Sequence, residues 1–155
     1  MTDISIIVRI LVAAILGAAV GLEREVHGRA AGLRTHILVC VGSALFMVTS
    51  ILMSSYHGPM GQVDPSRIAA GVVTGIGFLG AGAIIRSGSG IRGLTTAASI
   101  WVIAAIGIAA GAGMYVAAIV TTAVVVVVLF LSRIEEKMEL KSGRKQKTVT
   151  KEGEI

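Results

Sequence analysis

Residues 94–131, LTTAASIWVIAAIGIAAGAGMYVAAIVTTAVVVVVLFL, form a run of 38 residues without one charged side chain. As a single helix this run would be roughly 57 Å long at 1.5 Å per residue, close to twice the ~30 Å of hydrocarbon in a bilayer. It must therefore turn back on itself. The place is Gly111-Ala112-Gly113, where two glycines in three residues allow a tight reversal. The run divides into two spans, 94–110 and 114–131.

Working outward, three more apolar runs occupy 4–22, 37–56 and 68–85, and all five hold 17 to 20 residues. About 20 residues cross the hydrocarbon core as a helix. The first run is longer than the apolar part of a signal peptide, and Met1-Thr2-Asp3 lacks the basic segment that would precede one, so it is read as a retained span. Composition agrees: 54% of the 155 residues are apolar, only 15% are charged, and mean hydropathy is +0.85. A soluble domain carries about 25% charged residues. The expected fold is an all-α, polytopic membrane bundle of about five transmembrane helices over residues 1–131, followed by a basic tail, 132–155, helical at first and then disordered.

Charge sets the expected direction. Arg24, Arg29, Arg34, Arg86, Arg92 and seven tail residues make twelve of the fourteen Lys and Arg fall on one side of a five-span chain. The positive-inside rule puts that side in the cytoplasm and the N-terminus outside. Arg9 lies inside the first span and is expected to snorkel outward. Seven of the fourteen Lys and Arg lie from Arg133 onward, a basic tail that suits anionic lipid headgroups; no nucleic-acid partner is expected.

Glycine marks the expected packing faces, because small residues let membrane helices approach closely. Gly17 and Gly21 lie four residues apart in the first span. Gly71, Gly75, Gly77, Gly80 and Gly82 crowd the third, which is expected at the bundle centre or at a dimer interface. In the fourth span Ala97, Ala105, Ala109 and Gly113 fall on one line, interrupted by Trp101. The fifth has no such stripe and is read as lipid-facing.

Polar residues gather at the basic side. Glu23, Arg24 and Glu25 follow the first span, Arg34 and Thr35 precede the second, and Arg86, Arg92, Thr95 and Thr96 precede the fourth. They read as a cytoplasmic polar cluster that pairs charges or holds an anion at two helix N-termini, with simple capping by Thr35 and Thr95 as the alternative. On the other side Asp64-Pro65-Ser66-Arg67 reads as a helix start with Asp64 at the N-cap, or as an ion-sensing carboxylate beside Arg67. Paired catalytic carboxylates, zinc-ligand spacing, a phosphate-binding loop and a nucleophile elbow are all missing from the sequence. No catalytic residue, metal site or cofactor is predicted, and the chain is not read as an enzyme.

Five segments, in order, resemble the MgtC/SapB family of bacterial membrane proteins. They are Gly21-Leu22-Glu23-Arg24-Glu25, Ala31-Gly32-Leu33-Arg34-Thr35-His36, Asp64-Pro65-Ser66-Arg67-Ile68-Ala69-Ala70, Gly75-Ile76-Gly77-Phe78-Leu79-Gly80-Ala81-Gly82 and Arg92-Gly93-Leu94-Thr95-Thr96-Ala97-Ala98-Ser99-Ile100-Trp101. The resemblance implies a multi-pass protein of the bacterial inner membrane, linked to growth at low magnesium and, in pathogens, to survival in macrophages. It also implies restraint of the proton-translocating ATP synthase by contact within the membrane. Longer family members add a soluble C-terminal domain; here residues 132–155 follow the last span.

Two functions are expected from these readings. The first is a regulatory membrane protein in magnesium homeostasis or stress adaptation, acting on other membrane proteins and forming a homo-oligomer, such as a dimer. The second is a transporter or channel for magnesium or a small anion, for which the mid-span polar residues are mainly Ser43, Thr49, Thr74 and Ser99.

Overall fold

The computed structural model describes residues 1–56, 64–87 and 90–131. The chain is a bundle of apolar helices: α1 (Asp3–Val26), α2 (Leu33–Tyr56), α3 (Pro65–Ala83), α4 (Leu94–Ala112) and α5 (Tyr115–Leu131). The first four are long and apolar enough to cross a membrane, and α5 is apolar with 17 described residues. Large apolar side chains such as Ile15, Leu38 and Val116 point outward along them, the reverse of a soluble surface. The protein is a multi-pass membrane protein. The tail read as helical and then disordered lies outside the described residues.

Local chemistry sets the helix ends. Thr2 caps α1 by accepting from the Ser5 amide, and Asp3 adds negative charge to the first turn. Asp64 caps α3 ahead of Pro65, and its carboxylate takes both the amide and the hydroxyl of Ser66, at 2.8 and 2.7 Å. Between α4 and α5 Gly113 sits at φ 81, and its N–H closes onto the carbonyls of Ala109 and Ala110. That left-handed position is where the long apolar run reverses. Arg9 reaches toward the end of the bundle opposite the basic one, where it donates to the Gly111 carbonyl at 2.5 Å, at the end of α4. The last carbonyls of a helix have no intrahelical partner, and the guanidinium supplies one.

Helices α3 and α4 are joined by a short antiparallel hairpin of β1 (Ile85–Ser87) and β2 (Gly90–Arg92), in a loop the sequence reading left without structure. Its register pairs Ile85 with Arg92 and Arg86 with Ile91. The starts of α2 and α4 and the end of α1 therefore share one end of the bundle, the basic end.

Helix α4, not α3, is the centre. Half of the residues in its apolar window are buried, against 11% in α3, and it touches α1, α2 and α3. Its approach to α2 runs through Gly107 and Gly111. A Cβ on Gly107 would overlap the Cys40 carbonyl, and one on Gly111 would lie 2.5 Å from the Ala44 carbonyl. Gly17 and Gly21 of α1 meet α2 in the same way, with 3.0 Å and 2.8 Å to the Cα atoms of Ile37 and Leu33. These contacts enclose a core of Ala13, Leu16, Cys40, Ala44, Ile103 and Ile106, onto which Ala118 and Leu129 of α5 pack. Helix α3 joins more loosely, with Ile76 against Ile100 and Ala104. The expectation that α3 sits at the centre fails for a physical reason: of its glycines only Gly80 faces a neighbour, Ala97, while Gly71, Gly75, Gly77 and Gly82 meet nothing within 4 Å.

Candidate functional site

The site builds from the end of α1. Because that helix continues to Val26, Glu23, Arg24 and Glu25 take three different directions. Glu23 turns along its own helix to His27, with Oε1 3.2 Å from the ring Nδ1. Glu25 crosses to α2, where its Oε2 accepts from the Leu33 amide at 2.9 Å. Gly32 leaves room for it, since a Cβ there would push that carboxylate aside.

Arg24 turns inward and is 2% exposed. Its Nη2 donates to the Thr96 hydroxyl at 3.1 Å. One turn further along α4, the Ser99 hydroxyl donates to the Thr96 carbonyl at 2.8 Å and lies 3.1 Å from Nε2 of His36. His36 is fully buried, and its Nδ1–H donates to the Gly32 carbonyl at 2.8 Å. The result is a closed polar chain, Arg24–Thr96–Ser99–His36–Gly32, joining α1, α4 and α2 inside the apolar bundle. Removed from water, such groups are tolerated where they find hydrogen-bond partners, and the single Ser99 proton serves either the Thr96 carbonyl or Nε2 of His36.

The hydroxyls of Ser43 and Ser50 lie seven and fourteen residues beyond His36 and are also buried; Ser50 reaches the Pro65 carbonyl at 3.0 Å. Beside the polar chain, a cleft of about 360 Å³ opens between α2, α3 and α4, lined by Ala31, Thr35, Phe78, Gly82, Ala83 and Thr96. It offers two hydroxyls above an apolar floor, with the Arg24 charge behind one of them.

The cluster read from sequence is thus divided. Arg24 and Thr96 meet directly, and Thr35 and Thr96 share the cleft. Arg34, Thr95, Arg86 and Arg92 are exposed, and cross-strand pairs share a face of a hairpin, so the register puts Arg86 and Arg92 on opposite faces. The anion reading at two helix starts is also altered. At α2 the place is filled by the chain's own Glu25 carboxylate. Helix α4 starts at Gly93, φ 89, with no side-chain cap. Neither Thr35 nor Thr95 is an N-cap; both lie inside the first turn of their helix. His36 and Ser99 were visible in the sequence only as isolated polar residues, 63 positions apart. Asp64 and Arg67 lie at the far end, exposed. There the hydroxyl and amide of Ser66 hold the Asp64 carboxyl below the usual carboxylate range. Among the described residues no three His, Cys, Asp or Glu side chains come together as a metal group.

Comparison with known proteins matches these features to one family. The profile of the MgtC family covers residues 10–138. The Escherichia coli K12 protein named putative magnesium transporter YhiD is 53% identical over 115 residues, 70% of this chain and 52% of that one. Protein MgtC of Brucella abortus is 47% identical over 119 residues, 77% of this chain and 48% of its own length. Protein MgtC of Salmonella typhimurium is 43% identical over 127 residues, covering 82% and 52%. The chain spans about half the length of the curated relatives it matches. No solved structure matches it significantly. With its apolar bundle and bacterial relatives it is a multi-pass protein of the bacterial inner membrane, and it belongs to the MgtC family.

Proposed function

We propose that this chain is a regulatory protein of magnesium homeostasis that acts by helix contacts within the bilayer, with its basic end in the cytoplasm. The link to magnesium rests on the relative named as a putative magnesium transporter. The mode of action rests on one structural contrast. Helices α1, α2 and α4 are closed on one another at backbone distance, so the bundle interior has little room for an ion path. Helix α3 leaves its glycines and an apolar groove open to the membrane. That is the geometry of a surface that receives another membrane helix.

In this reading the polar chain from Arg24 to His36 holds α1, α2 and α4 in register. The polar cluster of Glu23, Arg24, Glu25, Thr35 and Thr96 serves the fold and the cleft first. The family resemblance makes ATP synthase the partner to try. Transport is the second reading, favoured by the line of buried polar groups His36, Ser43 and Ser50 along α2 and by that relative's name. Proteoliposomes separate the two. Purified chain reconstituted with ATP synthase should change ATP-driven proton pumping while passing no more magnesium than empty vesicles. Magnesium flux that is lost on Ser43→Val would replace regulation with transport.

A further inference from the structure

Helix α3 carries a second face that the bundle does not use. Asp64, Arg67, Gly71, Gly75, Phe78 and Gly82 fall within about 80° of its circumference at 100° per residue. All six are exposed, and Phe78, at 82%, stands furthest out. The buried residues Ile76 and Gly80 lie on the opposite side. Alongside this face runs an apolar groove of about 600 Å³, bounded by Leu38, Gly42 and Phe46 of α2 and by Gly71, Gly75 and Leu79 of α3.

We propose that this face and groove bind a second copy of the chain, α3 against α3, about a two-fold axis along the membrane normal. The proposal rests on the contact-based reading above and names a second copy, rather than a different membrane protein, as what the α3 face receives. Both copies insert in the same direction, so the two α3 helices must run parallel. In a two-fold interface residue i meets j while j meets i, so a face can pair with itself only if it is its own complement. This one is. At its far end one acid and one base stand a turn apart, so Asp64 of each copy faces Arg67 of the other. Among the described residues Arg67 forms no ion pair within its own chain, leaving it available for that contact. Toward the basic end each copy presents a knob, Phe78, at the depth where the other has Gly75 and Leu79 lining its groove. Glycines at 71 and 75 let the backbones approach closely enough for the ring to enter.

The experiment is disulfide cross-linking in native membranes, with the buried Cys40 left in place and single cysteines added at Gly71→Cys, Gly75→Cys and Gly82→Cys. Val120→Cys on the outer side of α5 is the control. Mild oxidation should give covalent dimers at the three α3 positions and none at Val120. Asp64→Arg or Arg67→Asp alone should reduce the Gly82→Cys dimer about threefold or more. The exchanged pair D64R/R67D should restore it, although the helix cap remains lost. Cross-links from α3 to a different protein would overturn the second copy and keep the contact-based reading. Yields on α3 no higher than at Val120 would mean that lipid covers the face, and would overturn both.

Discussion

Gly107 of α4 and Gly75 of α3 are the same residue in two apolar membrane helices, and they do opposite things. At Gly107 the α2 backbone comes so near that a methyl group has nowhere to go. At Gly75 a methyl group would meet nothing within 4 Å. One half of the molecule, α1–α2–α4, uses Gly17, Gly21, Gly107 and Gly111 in folding. The other half, α3, keeps Gly71, Gly75, Gly77 and Gly82 on the outside. Glycine count therefore reveals that close packing is needed somewhere, while only the fold shows whether the partner is inside the chain.

Substitutions sharpen this contrast. Gly107→Ala carries the largest expected effect: overpacking against backbone should destabilise the bundle by about 1–3 kcal/mol or more, seen as a lower unfolding midpoint in detergent. Gly111→Ala should follow it. Next comes Thr96→Val, which removes the hydroxyl that receives the Arg24 hydrogen bond inside the bundle and should cost about 1–3 kcal/mol. Its exposed neighbour Thr95→Val should change the midpoint little. Glu25→Ala removes the carboxylate from the start of α2 and should cost about 1 kcal/mol. Smallest, and opposite in sign, Gly75→Ala should stabilise the isolated protomer by up to about 1 kcal/mol, since alanine favours helix and nothing resists it. A loss of stability at Gly75 equal to that at Gly107 would erase the distinction.

Asp64 adds a pH test at the open half. Its folded-state pKa lies below the ordinary value, so its cap contributes fully above the unfolded carboxylate range. That contribution is lost as pH falls through the lower, folded value. The start of α3 should thus hold at neutral and mildly acidic pH. Hydrogen exchange at Ser66 and Arg67 should speed up only below about pH 4, and Asp64→Asn should flatten that change.

Much of this architecture was legible in the sequence, because its causes are local and large. Five apolar runs, the turn at Gly111-Ala112-Gly113 and the grouping of arginines follow from hydropathy and charge alone. What was hidden depended on register. Helix α4 is so rich in Ala and Gly that several faces show four-residue spacing, and the line through Ala97, Ala105 and Ala109 was as good a candidate as the true one through Gly107 and Gly111. The polar chain was hidden because Arg24, His36 and Ser99 meet only after three helices fold. Glu25 looked like a surface charge, and only the short loop to Leu33 brings it onto α2. The opposing faces of Arg86 and Arg92 follow from a hairpin that eight polar and glycine-rich residues do not announce.

The central claim is that the open face of α3 is the working surface. Its most direct test is to replace the chain by its Gly75→Leu variant in cells that need it to grow at limiting magnesium, measuring growth and membrane abundance together. The account predicts wild-type abundance, because a Cβ at this position meets nothing within 4 Å and the groove beside it has room for the rest of the side chain, with growth support lost. Full growth support from a normally abundant Gly75→Leu protein would contradict it.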